Sequence, residues 1–264
     1  MTTYKQTFSN LDRAALIPFF VIGDPDYDTS LDIVKAALDA GADVLELGIP
    51  FSDPIADGPT IQAADIRALE SGMTVEKALG FIKQVTDYKP VPIGLLIYYN
   101  LVFQYGVEKF FADFKAAGGS SILIADLSID DADEVIPAAD KAGLETVFMV
   151  TPNTEEDRTK VIAQKSTGFI YTVSTLGVTG ARSKLSDMVK PLIARLKSIT
   201  DVPVCVGFGI SSAEHAKDVA DAGADGVIIG SRIVKMIEEN LGDKQMMISE
   251  ISGFIEGVKS ELEK

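Results

Sequence analysis

Two acidic side chains stand out by type and place. Glu46 lies inside VLELGIP, a run whose other members read as a buried strand. Asp57 follows eleven residues later in IADGP, beyond a loop stiffened by Pro50 and Pro54. A strand sends successive side chains to opposite faces, which puts Val44, Glu46 and Gly48 on one face and Leu45 and Leu47 on the other. The leucines suit an interface with helices, so Glu46 points the other way. A carboxyl group there is partly desolvated, its pKa rises, and it is fitted for general acid/base work. The competing reading is a buried acid neutralised by a basic neighbour, but the predicted strands contain no Lys or Arg. Asp57, before Gly58 and Pro59, is by itself a common turn former. Two acids presented by one strand–loop unit set a catalytic reading beside that one. Asp53, between Ser52 and Pro54, has the weaker claim and reads as a turn cap.

Glycine marks a second kind of chemistry. The last three predicted strands are followed by GVTGA (Gly177 to Ala181), GFGIS (Gly207 to Ser211) and IIGSRI (Ile228 to Ile233). In GFGIS the glycines permit close backbone approach, and Ser211 and Ser212 are placed to cap a helix. Gly230 and Ser231 open a further short helix whose first amides suit an anion. No G-x-G-x-x-G and no P-loop lysine occurs, so dinucleotide and nucleoside triphosphate readings lack support. The stretch TLGVTGARSKLSD reads equally as a lid that excludes water or as a surface loop.

Elements must hold these residues in place, and one layout recurs. DAGADVLELG, KAAGGSSILIAD, KAGLETVFMV and DAGADGVIIG each end a helix in small residues, pass a glycine suited to a left-handed turn, and enter an apolar strand. With LIPFFVIG, PIGLLIYY, GFIYTVS and VPVCVG this makes about eight strands alternating with amphipathic helices. Strict alternation argues for an all-parallel sheet, and eight such units in 264 residues match a (β/α)8 barrel. In that architecture chemistry sits at the C-terminal ends of the strands, with phosphate bound by the loops after the seventh and eighth strands. A helix near Lys5 to Arg13 precedes the first strand and is placed to plug the barrel bottom. No linker or composition break divides residues 1–264, which read as a single domain.

Composition bounds the rest. Lys and Arg number 24 against 39 Asp and Glu, a net charge of -15 that disfavours nucleic acid as a partner. Cys205, the one cysteine, permits no internal disulfide, and in VPVCVG it reads as a small core residue. The one histidine, His215, reads as a solvated position early in a polar helix; it assembles neither a metal site nor a triad. With no long apolar run and no apolar leader, the expectation is a cytoplasmic protein away from membranes.

Taken together, PFFVIGDPD, LELGIPFSDPIADGPTIQAADIRAL, YYN (Tyr98 to Asn100), GVTGA, GFGIS and IIGSRIV resemble the tryptophan synthase alpha subunit family over nearly the whole chain. The resemblance implies the (β/α)8 fold and retro-aldol cleavage of indole-3-glycerol phosphate. Indole then passes to a pyridoxal-phosphate β subunit, while this chain needs no cofactor. It implies Glu46 as the acid/base, Asp57 as the acid that holds the indole N–H, and Tyr171 as an active-site tyrosine. Phe19 and Phe208 are implied at the indole, Thr179 at a lid, and Gly180, Gly209, Gly230 and Ser231 at the phosphate. The loop of Asp53 is implied to face the β subunit in an α2β2 assembly. Two departures from the family pattern stand in ADLSIDD (Ala125 to Asp131), which lacks a usual proline, and in Thr175 and Leu176.

Overall fold

The computed structural model describes residues 3–173, 183–207 and 209–264, with residues 183–188 described by backbone alone. The strands are β1 (Ala15–Val21), β2 (Leu45–Gly48), β3 (Ile93–Ile97), β4 (Ser121–Ile124), β5 (Glu145–Thr146), β6 (Phe148–Val150), β7 (Ile170–Val173), β8 (Val204–Gly207) and β9 (Gly226–Ile229). The helices are α1 (Tyr4–Asn10), α2 (Tyr27–Asp39), α3 (Pro59–Glu70), α4 (Val75–Tyr88), α5 (Tyr99–Tyr105), α6 (Val107–Ala116), α7 (Val135–Ala142), α8 (Glu156–Lys165), α9 (Ser183–Lys197), α10 (Ala213–Asp221), α11 (Ser231–Glu239) and α12 (Lys244–Leu262). Among the described residues, none of these helices is long and apolar enough to cross a membrane.

All strand pairings are parallel, in the order β5-β4-β3-β2-β1-β9-β8-β7-β6. The two ends of that order, β5 and β6, are separated in the chain only by Val147, so they are halves of one strand and the sheet closes into a barrel. The expected fifth strand is therefore divided. Its first half pairs with β4 through Ser121 opposite Glu145, and its second half pairs with β7 through Phe148 opposite Ile170. Val147 N bridges the break by donating to Ile122 O at 3.0 Å.

The two-residue period sorts side chains as the sequence predicts. Ala15, Ile17, Val44, Leu123, Val147, Phe169, Tyr171, Cys205 and Ile228 cluster with Tyr4 inside the barrel. Leu16, Leu45, Leu47 and Val206 face the helices in a larger cluster. Strands covered on both faces need no polar alternation, which explains their near-continuous apolar runs. The recurring helix–glycine–strand layout also takes its expected form. Gly41, Gly118, Gly143 and Gly223 have φ of 106°, 104°, 70° and 101°, where a side chain would strain the backbone.

Helix α1 does plug the N-terminal end of the barrel. Thr3 and Gln6 form a reciprocal cap at its start. Tyr4 is buried, its hydroxyl 2.9 Å from Ser121 Oγ and its ring edge-on to Phe169 at 5.5 Å. Gly94 makes room for it, since a Cβ there would lie 2.8 Å from the Tyr4 hydroxyl.

Candidate active site

Phe19 and Glu46 sit opposite each other in the register of β1 and β2, both on the inward face. Phe19 fits because its neighbours are small: a Cβ on Gly48 would meet its ring at 2.9 Å, and one on Gly230 at 3.3 Å. Together with Asp57, Leu96, Tyr171 and Ile228, these two residues line one part of a cavity of about 380 Å3 at the C-terminal mouth of the barrel. The remaining wall comes from Thr60 and Ile61 of α3, from Gly209, Ile210 and Ser211, and from Gly230, Ser231, Arg232 and Lys235.

Glu46 is 3% exposed, and its Oε2 has no hydrogen-bond partner among the described residues. Burial, and secondarily the charge of Asp57, push its pKa from 4.5 up to about 8. The side chain therefore carries a proton at neutral pH, the state in which burying an unpaired carboxyl costs least. Among the described residues no Lys or Arg pairs with it, in keeping with the strand composition.

Asp57 reaches the cavity from the loop 49–58. Pro59 takes the first position of α3, where a missing N–H costs nothing. Asp57 N donates to Pro54 O at 3.0 Å, and Gln62 Nε2 donates to Asp57 O at 2.8 Å. The backbone of Asp57 thus forms the turn, while its side chain turns inward. Tyr98 holds it there, donating its hydroxyl to Asp57 Oδ2 at 2.6 Å and accepting from Ala56 N at 3.0 Å. Phe51 stacks on the same ring at 5.0 Å. Burial raises the Asp57 pKa, and the Tyr98 hydrogen bond opposes that rise. Asp53 stays in the exposed part of the loop; its side chain accepts from Ser52 Oγ at 2.6 Å and its backbone carbonyl accepts from Ile55 N at 2.8 Å.

Tyr171 stands on the inward face of β7, with its hydroxyl over Gly207, where a Cβ would lie 2.2 Å away. Burial and the acids Glu46 and Asp57 hold its phenol protonated. Behind Asp57, the buried Asp65 of α3 is also pushed up to about 8, first by burial and then by Asp57. Asp24 and Arg67 pin α3 to the loop after β1 through contacts of 2.7 and 2.9 Å.

Gly209 has φ of 77°, and Ser212 caps α10 by accepting from His215 N. Helix α11 opens at Ser231 with Gly230 before it, and its first internal bond is Val234 N to Gly230 O at 3.1 Å. The amides of Ser231, Arg232 and Ile233 precede that bond and have no intrahelical acceptor, which leaves them suited to an anion. In the departure ADLSIDD, Ser128 caps a short 3-10 turn, Ile129–Asp131, and Asp126 accepts from Tyr99 N at 2.8 Å.

Glu46, Asp57, Tyr171, Phe19, Gly209, Gly230 and Ser231 are thus brought to one cavity. Thr175, Leu176, Thr179, Gly180 and Phe208 lie outside the described residues. Sequence reasoning assigned no role to Leu96, Tyr98, Arg232 or Lys235. The signal for the first two was present: Gly94, Leu96 and Tyr98 share the inward parity of β3 and its extension. A larger groove of about 1010 Å3 opens at the opposite end of the barrel. Several of its charges pair with one another, as in Lys197–Asp225 at 2.8 Å and Lys217–Asp221, and among the described residues it holds no acid buried as Glu46 is.

Residues 6–263 match the family described as tryptophan synthase alpha chain. The tryptophan synthase alpha chain of Methanothermobacter thermautotrophicus is 48% identical over 249 residues, spanning 94% of this chain and 92% of its own. That of Methanoregula boonei is 42% identical over 264 residues and the full length of both. Among solved structures, the tryptophan synthase alpha subunit of Legionella pneumophila superimposes with a TM-score of 0.91 at 30% identity, over 100% of this chain and 99% of that one. A chain of the tryptophan synthase complex from Pyrococcus furiosus gives 0.85 at 38% identity, over 94% and 98%. A barrel with a buried glutamate at its mouth and an aspartate beside it, matched to these relatives over nearly its full length, belongs to the tryptophan synthase alpha chain family.

Proposed function

We propose that the chain cleaves indole-3-glycerol phosphate to indole and glyceraldehyde 3-phosphate and passes the indole to a β subunit carrying pyridoxal phosphate. Family membership supports the reaction. The observation that carries the residue roles is Glu46, buried in the mouth cavity with Oε2 unpartnered among the described residues, where burial pushes its pKa up to about 8.

The indole ring lies against Phe19 and Leu96, with its N–H on Asp57 and the phosphate on the amides at Gly209, Gly230 and Ser231. Glu46 delivers its proton to indole C3, which dearomatises the pyrrole ring and places positive charge on its nitrogen. The Asp57 carboxylate, steadied by Tyr98, balances that charge. Glu46, now a carboxylate, takes the proton of the adjacent glycerol hydroxyl. The C–C bond then breaks, its electron pair returns to the ring, and the hydroxyl oxygen becomes the aldehyde carbonyl. Tyr171 packs beside the reacting carbon and stays protonated throughout. These steps ask only for acids, bases and an anion cradle, so the cofactor belongs to the β subunit.

Contact with that subunit is supported at the same end of the barrel. Ile55, 85% exposed in the loop of Asp53, and Phe103, 60% exposed on α5, both follow C-terminal strand ends. An αβ complex there encloses the exit of the cavity, and two such pairs make the α2β2 assembly. The test is indole release by the purified chain with and without a β subunit. Slow release alone and faster release in the complex is the expected result; no indole under either condition overturns the reading.

A further inference from the structure

Among the described residues, two basic side chains line the mouth cavity, and both belong to α11: Arg232 and Lys235. They lie three residues apart on one helix face, beside the open amides at Ser231. That this cavity takes a ligand rests on a separate feature, the buried Oε2 of Glu46, which has no partner among the described residues. The protein carries a net charge of -15, so a phosphate dianion approaches against the long-range field. Helix amides offer only partial charge, roughly half a unit at a helix end.

We infer that Arg232 and Lys235 form a cationic rim that draws in and holds the substrate's phosphate, and that Glu239 and Glu238 hold these cations while the site is empty. The inference rests on reading the start of α11 as the phosphate site. Lys235 Nζ lies 2.7 Å from Glu238 Oε2, and Arg232 Nη1 lies 3.5 Å from Glu239 Oε2. Both cations are substantially exposed, at 48% and 36%, and pairs of that kind hold weakly in water. A phosphate dianion offers several strong acceptors and competes for them. Glu238 is not stranded when Lys235 moves, because Arg67 Nη1 stands 4.0 Å from it. Arg67 itself stays on the buried Asp24, 2.7 Å away, and is not free to join the rim.

The test uses the full chain with its β subunit and compares Arg232→Gln, Lys235→Gln and the double variant with wild type. Two readouts are taken: KM against kcat for indole-3-glycerol phosphate, and inhibition by inorganic phosphate. Each single variant is expected to raise KM and the phosphate inhibition constant by about threefold to tenfold, and the double variant by more, with KM rising further than kcat falls. In the double variant added salt no longer raises KM, because the attraction it screens is gone and the repulsion of the net charge remains. Arg232→Lys and Lys235→Arg restore binding, and Glu238→Gln tightens phosphate inhibition. A correctly melting double variant with wild-type KM and phosphate inhibition overturns the rim alone. Absence of phosphate inhibition in the wild type overturns the phosphate site itself.

Discussion

Replacing Glu46 with glutamine separates what the residue does for the reaction from what it costs the fold. Glutamine keeps the volume and cannot ionise. In the native chain Glu46 holds its proton up to about pH 8, whereas an exposed glutamate releases it near 4.5. Between those limits the unfolded chain binds fewer protons than the native one, so stability falls as pH rises. At about 1.4 kcal/mol for each pH unit, this one side chain removes on the order of 5 kcal/mol across the window, a large part of ordinary domain stability. The loss is complete above pH 8 and absent below pH 4.5. Asp65 adds a similar slope, which the variant retains, so the difference between the two proteins isolates Glu46. Urea denaturation of wild type and Glu46→Gln from pH 5 to pH 8 should show the variant gaining on the order of 4 kcal/mol relative to wild type over that range. The same variant should lose indole release by about 10²- to 10⁴-fold. A stability difference that stays flat within about 1 kcal/mol over that range, well below what this linkage requires, would mean that Glu46 is already ionised in the native state. Its role as the proton donor would then fall.

Asp57→Asn should lower indole release by on the order of 10²-fold or more while leaving the thermal midpoint nearly unchanged, checked by turnover and a melt on one preparation. Tyr98→Phe removes the donor 2.6 Å from Asp57 and the acceptor for Ala56 N; the acid limb of the pH–rate profile should move to higher pH and turnover should fall about tenfold. An unshifted limb counts against the tether. Gly207→Ala places a methyl 2.2 Å from the Tyr171 hydroxyl, so unfolding should come at lower urea by about 1–3 kcal/mol, with activity reduced.

What could be read from the sequence divides along a physical line. The place of Glu46 follows from the two-residue period of a strand and the need of Leu45 and Leu47 for helix contacts, and neither depends on distant chain. The left-handed glycines at Gly41, Gly118, Gly143 and Gly223 are likewise local. Asp57 was ambiguous because a turn former and a cavity acid have the same local signature; the deciding contact, from Tyr98, comes from 41 residues away. The division of the fifth strand at Val147 depends on which neighbour each half meets, and no run of apolar residues records that. The roles given to Thr179, Gly180 and Phe208 rest on resemblance alone.

The plug at the barrel bottom bears on the order of assembly. Tyr4 precedes every strand, yet its hydroxyl partner, Ser121, is 117 residues away, and the ring beneath it, Phe169, is farther still. Such non-local closure is slow, because the entropy of the loop is lost before the contact returns anything. The complete seat of α1 needs chain as far as residue 169, so its native contacts cannot all form until most of the barrel is present. The earliest helix in the chain is thus expected to be among the last to find its seat, and variants at Tyr4 or Gly94 should show slowed refolding in a stopped-flow trace before they show lost catalysis.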